Sequence, residues 1–438
     1  MSALASVDSS KELLDRAQRV IPGGVNSGMR KLDPPIAVAR AAGAWFWDAQ
    51  DRRYFDFHGA FGATILGHGH PAVLDAVTEA LRCHDLMGVG VSPLEVDLAE
   101  KLAEHVPSVE KAVLCNSGSE ATYHAVRLAR ACTERQKIVK FQGCYHGFHD
   151  ALAMNVITPR ELLGTRHLLT SGATPELVER TLICDFNDLG QVEEAFTAHP
   201  EQIAAVILEP VPHNIGCVLP QPGFLEGLRL LTKRDGALLI FDEVITGFRH
   251  SIGGYQKVCG VTPDLTTMGK AMANGFPIAA LGGAAQYIDR LSSRPGGDVF
   301  FSGTYNGHPA CCAAALATIR ELERPESHRR LFGLADRMRA GLSEIMRRHG
   351  VSAYAAGFGS VFLTYFMEGE PRNYTALLAN DDALFVAYRR RLLDLGVFKL
   401  PIALKRNHTN LSQSETDIDF ALEACDRAIG DVKGKFGY

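Results

Sequence analysis

The chain has 438 residues, which is long enough for two or three domains or for one large α/β domain with appendages. Hydrophobic residues make up 46% and charged residues 22%, which is ordinary globular usage and excludes disordered, fibrous and membrane-embedded classes. The net charge is −5 and no run of Lys or Arg forms a basic stripe, so we expect no nucleic-acid and no membrane partner.

The first twenty residues, MSALASVDSSKELLDRAQRV, contain acidic side chains and no apolar stretch. This pattern predicts neither a signal peptide nor a membrane span, so a cytoplasmic location is the expectation. Residues 1 to about 70 then hold an amphipathic helix and the segment GAWFWDAQDRRYFDF, in which a turn separates two aromatic runs. The second segment predicts a β-hairpin.

The middle of the chain alternates short apolar runs with helical patterns, which is typical of parallel strands joined by crossover helices. The predicted strands are KAVLCN (111–116), KIVKF (137–141), RTLICD (180–185), IAAVILEP (203–210), ALLIFDEV (237–244) and PIAALGG (277–283). Two of the predicted helices are SEATYHAVRLARACTE and PGFLEGLRLLTKRDG, the second ending at Gly236.

Beyond Pro309 the pattern is helical to about residue 350, passes through a Gly-rich stretch and closes with the helix ETDIDFALEACDRAIGDVKGKF. We therefore predict a large domain over residues 71–315. The N-terminal segment, residues 1–70, and residues 316–438 are predicted to form a smaller domain together.

Two carboxylates, Asp242 and Glu243, end the predicted strand in ALLIFDEVITGFR. Open α/β sheets bind their ligands at this edge. Because adjacent strand residues point to opposite faces, only one of the two can enter a site. The alternative is an acid that merely caps a loop, and for an isolated Asp-Glu pair that is the usual case.

Lys270 lies between small and apolar residues in PDLTTMGKAMANGFP. Apolar surroundings disfavour the charged form of a lysine and leave its amine free to attack a carbonyl group. The alternative is an exposed lysine whose stem packs on the surface while its ammonium group stays in water. Sequence alone leaves both interpretations open.

The segment Asn116-Ser117-Gly118-Ser119-Glu120-Ala121 follows the strand KAVLC and opens a helix. Backbone N–H groups and the helix dipole at such a turn form a site for an anion or a phosphate. The alternative is an ordinary N-cap by one of the two serines. The segment is not a nucleotide P-loop, because no Lys follows it.

A phosphate anchor, a strand-end acid and an apolar lysine are the groups that a pyridoxal 5′-phosphate (PLP) enzyme supplies to its cofactor. From Asn26 to about Asp419 the chain resembles class III, fold-type I aminotransferases, and among them the glutamate-1-semialdehyde 2,1-aminomutase branch. The matching stretches are PGGVNSGMR, DFHGAFGATILGHGHPAV, CNSGSEAT, KFQGCYHGFHD, LEPVPHNIGCVLP, GALLIFDEVITGFR, GVTPDLTTMGKAMANGFPIAALGG and SGTYNGHP.

The resemblance implies an α/β fold in which helices flank a mostly parallel seven-stranded sheet, with a smaller α+β domain built from both termini. It implies that Lys270 forms the Schiff base with PLP and carries the proton during catalysis. Asp242 would keep the pyridine nitrogen protonated. Tyr145 would stack on one face of the ring and Val244 would pack on the other.

Further cofactor contacts are implied by the same match. Ser117, Gly118 and Ser119 would hold the phosphate, and Thr304 would reach it from the neighbouring subunit, which makes an obligate homodimer the expected assembly. The remaining predicted cofactor-binding residues are His146, Glu209 and Asn214.

No metal site is predicted. His68 and His70 in GHGHP could be drawn as a pair of ligands, but no third ligand stands at a useful spacing. His146 and His149 are expected to support the site rather than to bind a metal.

Three stretches depart from the aminomutase branch. That branch has Ser-Trp-Gly at residues 60–62, a Gly/Ser-rich lid in place of residues 151–176, and Phe-Glu-Ala-Gly-Phe at residues 404–408. Arg30 matches the arginine that binds the substrate carboxylate, and Phe61 and Lys405 are also predicted to contact substrate. The alternative for Arg30 and Lys405 is a solvent-facing position.

A mutase must retain its intermediate through both half-reactions, and the changed lid argues against that. The sequence therefore predicts an intermolecular aminotransferase with ping-pong kinetics, moving an amino group from an amino acid or amine to a keto acid or carbonyl acceptor. The alternatives are the glutamate-1-semialdehyde 2,1-aminomutase, an NAD-dependent Rossmann dehydrogenase, which would need a G-x-G-x-x-G motif after the first strand, and a PLP-fold binding protein without catalysis.

Overall fold

A computed structural model describes residues 9–438, so the first eight residues of the predicted N-terminal segment lie outside the described residues. The strands are β1 (Val38–Ala42), β2 (Trp45–Asp48), β3 (Arg53–Asp56), β4 (Lys111–Cys115), β5 (Lys137–Phe141), β6 (Thr181–Cys184), β7 (Ile203–Leu208), β8 (Leu238–Glu243), β9 (Leu265–Met268), β10 (Ala279–Gly283), β11 (Tyr354–Phe358), β12 (Val361–Tyr365), β13 (Val397–Phe398) and β14 (Asn407–His408).

The α-helices are α1 (Ser10–Val20), α2 (Gly59–Gly62), α3 (Pro71–Cys83), α4 (Pro93–His105), α5 (Gly118–Thr133), α6 (Pro175–Val178), α7 (Leu189–Ala198), α8 (Phe224–Asp235), α9 (Gly254–Cys259), α10 (Ala285–Ile288), α11 (Pro309–Leu322), α12 (Pro325–Arg348), α13 (Tyr374–Leu377), α14 (Asp382–Asp394) and α15 (Glu415–Val432). Short 3₁₀ turns include Gly28–Arg30, His213–Ile215 and Lys270–Ala273.

Seven strands form the central sheet in the order β4-β10-β9-β8-β7-β5-β6. The pairs within β9-β8-β7-β5-β6 are parallel, whereas β10 runs antiparallel to both β4 and β9. Every residue of β7 and β8 is buried, which explains their continuous apolar sequences. The mostly parallel seven-stranded sheet that the resemblance implied is confirmed.

Six of the seven strands coincide with predicted ones, and β9 is the strand that the sequence prediction missed. Its four residues, Leu-Thr-Thr-Met, are too short and too polar to stand out as an apolar run. The strand is nevertheless fully buried, because its threonine hydroxyl groups find partners inside the protein. Thr267 binds Asp242, and Thr266 binds Ser108.

Helices cover both faces of this sheet. On one face, small residues of α5 such as Ala125 and Ala129 pack against Ile207 and Ile240. On the other face, apolar residues of α7 and α8 pack against Phe141, Val206 and Phe241, among others. The predicted end of α8 is confirmed, since Gly236 takes the left-handed conformation with φ 67°.

Both ends of the chain contribute to the same outer region. The predicted hairpin is formed by β2 and β3, and β13 from the C-terminal part adds to β3 in parallel. Helices α12, α14 and α15 bury an apolar cluster together with Phe55 and Phe57 from the N-terminal part. Domain boundaries at residues 70 and 315 stay a prediction. Across residues 9–438, none of the helices combines the length and the apolar character needed to cross a membrane.

Candidate active site

The candidate site is a cavity of about 240 Å³ at the carboxyl ends of the parallel strands. This is the edge at which open α/β sheets bind their ligands. The cavity is lined by Ala63, Asn116, Ser117, Gly118, Ser119, Tyr145, His146, Gly147, Glu209, Asp242, Val244, Ile245, Lys270, Gly275, Phe276, Pro277 and Ile278. Nine of the predicted cofactor-binding residues are therefore brought together around one space.

Asp242 points into this cavity from the end of β8. Its Oδ1 accepts hydrogen bonds from the Val244 N–H (3.1 Å) and the Thr267 hydroxyl (3.0 Å), and its Oδ2 lies 2.7 Å from Nδ1 of His146. Glu243 points to the other side of the sheet, where its carboxylate accepts from Thr246 (2.8 Å). Only one of the two adjacent acids enters the site, as the strand geometry requires.

Lys270 follows β9 and lies in the left-handed region with φ 45°. Burial is the main cause that lowers the pKa of its amine to about 8, with a second contribution from the positive charge of Arg406, while Asp242 and Glu209 oppose the shift. Among the residues described, its amine has no hydrogen-bond partner. The exposed-lysine alternative is wrong, and a substantial neutral fraction near neutral pH makes the amine a competent nucleophile.

The start of α5 is both a capped helix and a possible anion site. Ser117 Oγ accepts the Glu120 N–H at 3.2 Å, so the N-cap alternative is correct as far as it goes. The N–H groups of Gly118 and Ser119, however, have no partner within residues 9–438. They are available to an anion, and the helix dipole favours one at this position.

Position 118 is so close to the Val244 side chain that only glycine fits there without displacing it. A Cβ atom at this position would stand 2.9 Å from Cγ1 of Val244, which is closer than carbon atoms pack. Val244 and the helix start therefore converge on one narrow part of the cavity. Together with the unpartnered amides, the Asp242 carboxylate and the free Lys270 amine, this arrangement fits PLP.

Glu209 links two walls of the cavity. Its carboxylate accepts the Tyr145 N–H (2.9 Å) and the His213 N–H (3.0 Å), and burial raises its pKa. His146 is held through its bond to Asp242, and its Nε2 is buried without a partner in the described structure. Asn214 lies one layer further out, since it binds the Gly143 carbonyl oxygen (3.1 Å) instead of lining the cavity.

The C-terminal run, residues 404–408, is buried. Lys405 and Arg406 are each 7% exposed, so the solvent-facing alternative is wrong for Lys405. The Lys405 ammonium donates to the backbone oxygen (2.7 Å) and the Oδ1 (2.8 Å) of Asn214, and burial lowers its pKa to about 7. Lys405 thus stands behind the cavity wall, not on its surface.

Three other predicted residues are placed away from the cavity lining. Arg30 is exposed in the Gly28–Arg30 turn. Thr304 lines a separate groove with residues of the 84–95 loop. Phe61 is half-buried with its ring against His58, at 4.2 Å between ring centroids.

Thr267 is a site residue that the sequence prediction missed. The hydroxyl group of Thr267 holds Asp242, and the two residues are direct neighbours in the register of β8 and β9. Recognising PDLTTM as a parallel strand beside ALLIFDE would have found it. The stretch from Gly275 to Ile278, which forms the opposite rim of the cavity, carries no comparable signal.

His68 does not pair with His70, and its Nε2 lies 2.8 Å from Asp56. Across the described chain, Glu104, His105 and Glu323 bring three ligand-type atoms together. Lys101 lies 2.7 Å from Glu323, and His105 lies 2.8 Å from it. Together with Glu104, which also pairs with Lys101, these residues form an ion-pair cluster.

Comparison with known proteins agrees with the geometry of the site. The family model described as "Aminotransferase class-III" matches residues 27–405. A glutamate-1-semialdehyde 2,1-aminomutase from Desulforudis audaxviator is 42% identical over 425 residues, covering 96% of this chain and 97% of the relative. By name, such curated relatives favour the aminomutase alternative over transfer to a separate acceptor.

Solved structures of both activities are similar to this chain. An omega-transaminase from Sphaerobacter thermophilus superposes with a TM-score of 0.92 at 32% identity, and 98% of each chain is covered. A glutamate-1-semialdehyde aminomutase variant from Pseudomonas aeruginosa PAO1 in complex with PMP gives 0.87 at 26% identity, with coverage of 96% of this chain and 94% of that one. The fold is therefore common to transferases and mutases.

Proposed function

This chain belongs to the class III aminotransferase family, and we propose that it transfers an amino group from an amino acid or amine donor to a separate keto acid or carbonyl acceptor. Membership of the family excludes the NAD-dependent dehydrogenase alternative. The free amine of Lys270 and the carboxylate of Asp242 in one cavity argue against a binding protein without catalysis.

PLP is the cofactor, and when bound it supplies an aldehyde that bonds to amines and a ring that takes up electrons. The start of α5 would hold its phosphate, and Asp242 would pair with its ring nitrogen. Tyr145 and Val244 would enclose the ring from two sides. Lys270 would then take up and return the proton of the substrate carbon that bears the amino group, a task that suits an amine with a pKa of about 8.

The observation that carries the transaminase proposal is the burial of Lys405 and Arg406 behind the cavity wall. The resemblance places a glutamate of the aminomutase branch at position 405. The charged Arg406 and the Lys405 amine, which is partly protonated near pH 7, disfavour an intermediate with two amino groups, because a second ammonium group would be repelled. They favour molecules that carry a carboxylate.

The segment at residues 151–176, which replaces the Gly/Ser-rich lid, supports the same proposal. Residues 151–156 are buried, and Thr158 is fixed at both its N–H and its carbonyl oxygen by the Tyr374 hydroxyl group, at 2.8 Å each. Residues 151–158 are therefore held in place, which distinguishes them from a lid that has to open and close over an intermediate.

The second candidate is glutamate-1-semialdehyde 2,1-aminomutase, and the observation in its favour is the 42% identity with a curated aminomutase over nearly the full chain. Two measurements separate the candidates. The holoenzyme is first mixed with single amines and amino acids without an acceptor, and the cofactor absorbance is followed. It is then given glutamate 1-semialdehyde, with and without pyruvate or 2-oxoglutarate.

A transaminase converts its cofactor stoichiometrically with the donor alone and returns it when the keto acid is added. The Lys270→Ala variant serves as the control that performs neither half-reaction. Efficient formation of 5-aminolevulinate, without exchange of nitrogen into any added keto acid, would overturn the transaminase proposal and support the mutase.

We further propose that the active assembly is a homodimer in which Thr304 completes the phosphate site of the partner subunit. The position of Thr304 outside the cavity of its own chain supports this proposal. Exposed apolar side chains of the surrounding loops, Met87, Val89 and Tyr305, favour a covered surface. Analytical ultracentrifugation of the holoenzyme tests it, and a fully active monomer would refute it.

A further inference from the structure

The guanidinium group of Arg406 joins three segments that are distant in sequence. Its Nη1–H donates to the His213 carbonyl oxygen (2.8 Å), its Nη2–H to the Phe61 carbonyl oxygen (2.8 Å), and its Nε–H to Nε2 of His408 (3.1 Å). Within residues 9–438 no carboxylate is among its bonding partners. The nearby Glu209 carboxylate acts on Arg406 through its charge and does not bond to it directly. The buried guanidinium group therefore depends on these three hydrogen bonds, and each acceptor depends on it in turn.

The bond to Phe61 fastens a turn with unusual backbone geometry. Ala60 and Phe61 in α2 have φ angles of 50° and 58°, a region that costs about 1–2 kcal/mol per residue without glycine. His58 accepts the Phe61 N–H (3.1 Å), and Arg249 donates to the Gly62 carbonyl oxygen (2.7 Å). The turn is therefore held by side chains, and Ala63, the residue that follows it, lines the cavity.

The bond to His213 fastens the loop that supports Glu209. The residue whose carbonyl oxygen binds Arg406, His213, donates its own N–H to the Glu209 carboxylate. Glu209 in turn accepts the N–H of Tyr145. One guanidinium group is thus connected through short hydrogen bonds to two residues of the cavity lining.

The charge of Arg406 also acts on the cavity. It lowers the pKa of Lys270 and of Lys405, in both cases as the second cause after burial. The charged groups that act on Lys270 in the opposite direction are Asp242 and Glu209. The turn and the loop therefore bring a positive charge close to the side of the cavity that is lined by Ala63 and Glu209.

We propose that Arg406 is a positioning residue that joins the turn 59–62 to the loop 213–216 behind the cavity, where they support Ala63 and Glu209 of the lining, and that it makes this side of the cavity select substrates with a carboxylate over substrates with a second ammonium group. The inference rests on the proposed amino-group transfer and names its substrate class. It predicts that an ω-amino acid reacts better than a diamine of the same length.

The test compares Arg406→Gln, Arg406→Lys and the control Arg389→Gln as holoenzymes. Arg389 is a matched control because it is 2% exposed and also binds two backbone oxygens, those of Lys399 (2.9 Å) and Asp33 (2.7 Å), neither of which belongs to the cavity. Two quantities are measured. One is the ratio of kcat/KM for the ω-amino acid to that for the diamine, and the other is the pH titration of the cofactor absorbance.

Arg406→Gln should lower the substrate ratio about tenfold or more, as expected for the loss of one fixed charge near the substrate. It should also move the titration midpoint to higher pH, because the nitrogen that Lys270 shares with the cofactor loses a positive neighbour. Arg406→Lys keeps the positive charge but cannot bond to the turn and the loop at the same time. It should therefore keep the wild-type titration midpoint and raise the KM for the ω-amino acid. Arg389→Gln should change neither quantity.

A folded Arg406→Gln enzyme with the wild-type ratio and midpoint would overturn the proposal. If that variant yields no folded holoenzyme, Arg406→Lys decides, and a wild-type KM in it would overturn the positioning role. The titration requires no turnover. An enzyme that proves to be a mutase would therefore still show the shifted midpoint, and the two failures can be told apart.

Discussion

The two sides of the site are built in different ways. On the cofactor side, Asp242, Lys270 and the start of α5 each lie within four residues of the carboxyl end of a strand of one sheet. On the opposite side, the wall depends on hydrogen bonds from Lys405 and Arg406 that span 191 to 345 positions of the chain. The comparison teaches that regular local structure positions the residues that bind the cofactor. Contacts between loops that are distant in sequence position the opposite side of the cavity, where we propose that substrate is selected.

The largest effect is expected on the cofactor side. Lys270→Ala should reduce turnover by about 10⁴-fold, the upper end for loss of an acid–base group, and should leave PLP bound without a covalent bond. Borohydride reduction followed by peptide mapping checks it, since the label should fall on Lys270 in the wild type. Lys140 and Lys405 are the internal controls, because both are also buried, and label on either would contradict the assignment.

Asp242→Asn tests whether adjacent acids have separate tasks. We expect kcat to fall about 10²–10³-fold with folding preserved, the cost of losing one preorganised electrostatic partner. The matched control is Glu243→Gln, which loses a buried carboxylate on the far side of the strand and should lower thermal stability without changing kcat. Equal loss of kcat in both variants would show that the loss comes from a disturbed strand and not from the missing Asp242 carboxylate.

Gly118→Ala tests the close approach at the start of α5. The added methyl group would stand 2.9 Å from Val244, and overpacking of this kind costs about 1–3 kcal/mol. PLP affinity should fall about tenfold or more, as measured by equilibrium titration. The control is Gly333→Ala in α12, where a Cβ meets open space, so affinity should be unchanged. Unchanged PLP affinity in Gly118→Ala would mean that the start of α5 can move away from Val244 without weakening the binding of the phosphate.

Lys405→Met gives the smallest effect and tests the substrate wall. The Lys405 pKa is lowered from 10.5 to about 7, so the unfolded chain binds more protons than the folded chain between these pH values. Wild-type stability should therefore rise with pH relative to the variant, by at most about 1.4 kcal/mol per pH unit. Urea unfolding from pH 7 to pH 9 measures it. The exposed Lys31→Met variant is measured as the control. A stability difference between wild type and Lys405→Met that stays constant from pH 7 to pH 9 would mean that Lys405 remains charged in the folded protein.

The sequence prediction succeeded where the decisive pattern is local. The six predicted strands, the helix that opens at residue 118 and the environment of Lys270 depend on neighbouring residues, so the apolar periodicity and the turn chemistry were sufficient. The convergence of nine predicted residues on one cavity follows from parallel strands that share an edge.

The prediction failed where polar residues are buried by partners remote in sequence. Thr266 and Thr267 occupy a central strand because Ser108 and Asp242 satisfy their hydroxyl groups. Lys405 is buried behind the cavity because two oxygen atoms of Asn214 accept hydrogen bonds from its amine. Neither burial is visible in a local window, since a threonine or a lysine is usually exposed when such partners are absent.

The order of strands in the central sheet also has a consequence for the synthesis of the protein. Strand β4, which leads into the phosphate-binding turn, is an edge strand and pairs with β10 in the described structure. Residues 111–115 therefore cannot join the sheet until residues 279–283 have been synthesised. During translation the ribosome releases this early strand long before the late strand emerges, and the pairing is of high contact order. Strand β4 and the turn that follows it can therefore take their final place in the sheet only after the segments that contain Asp242 and Lys270 have been synthesised.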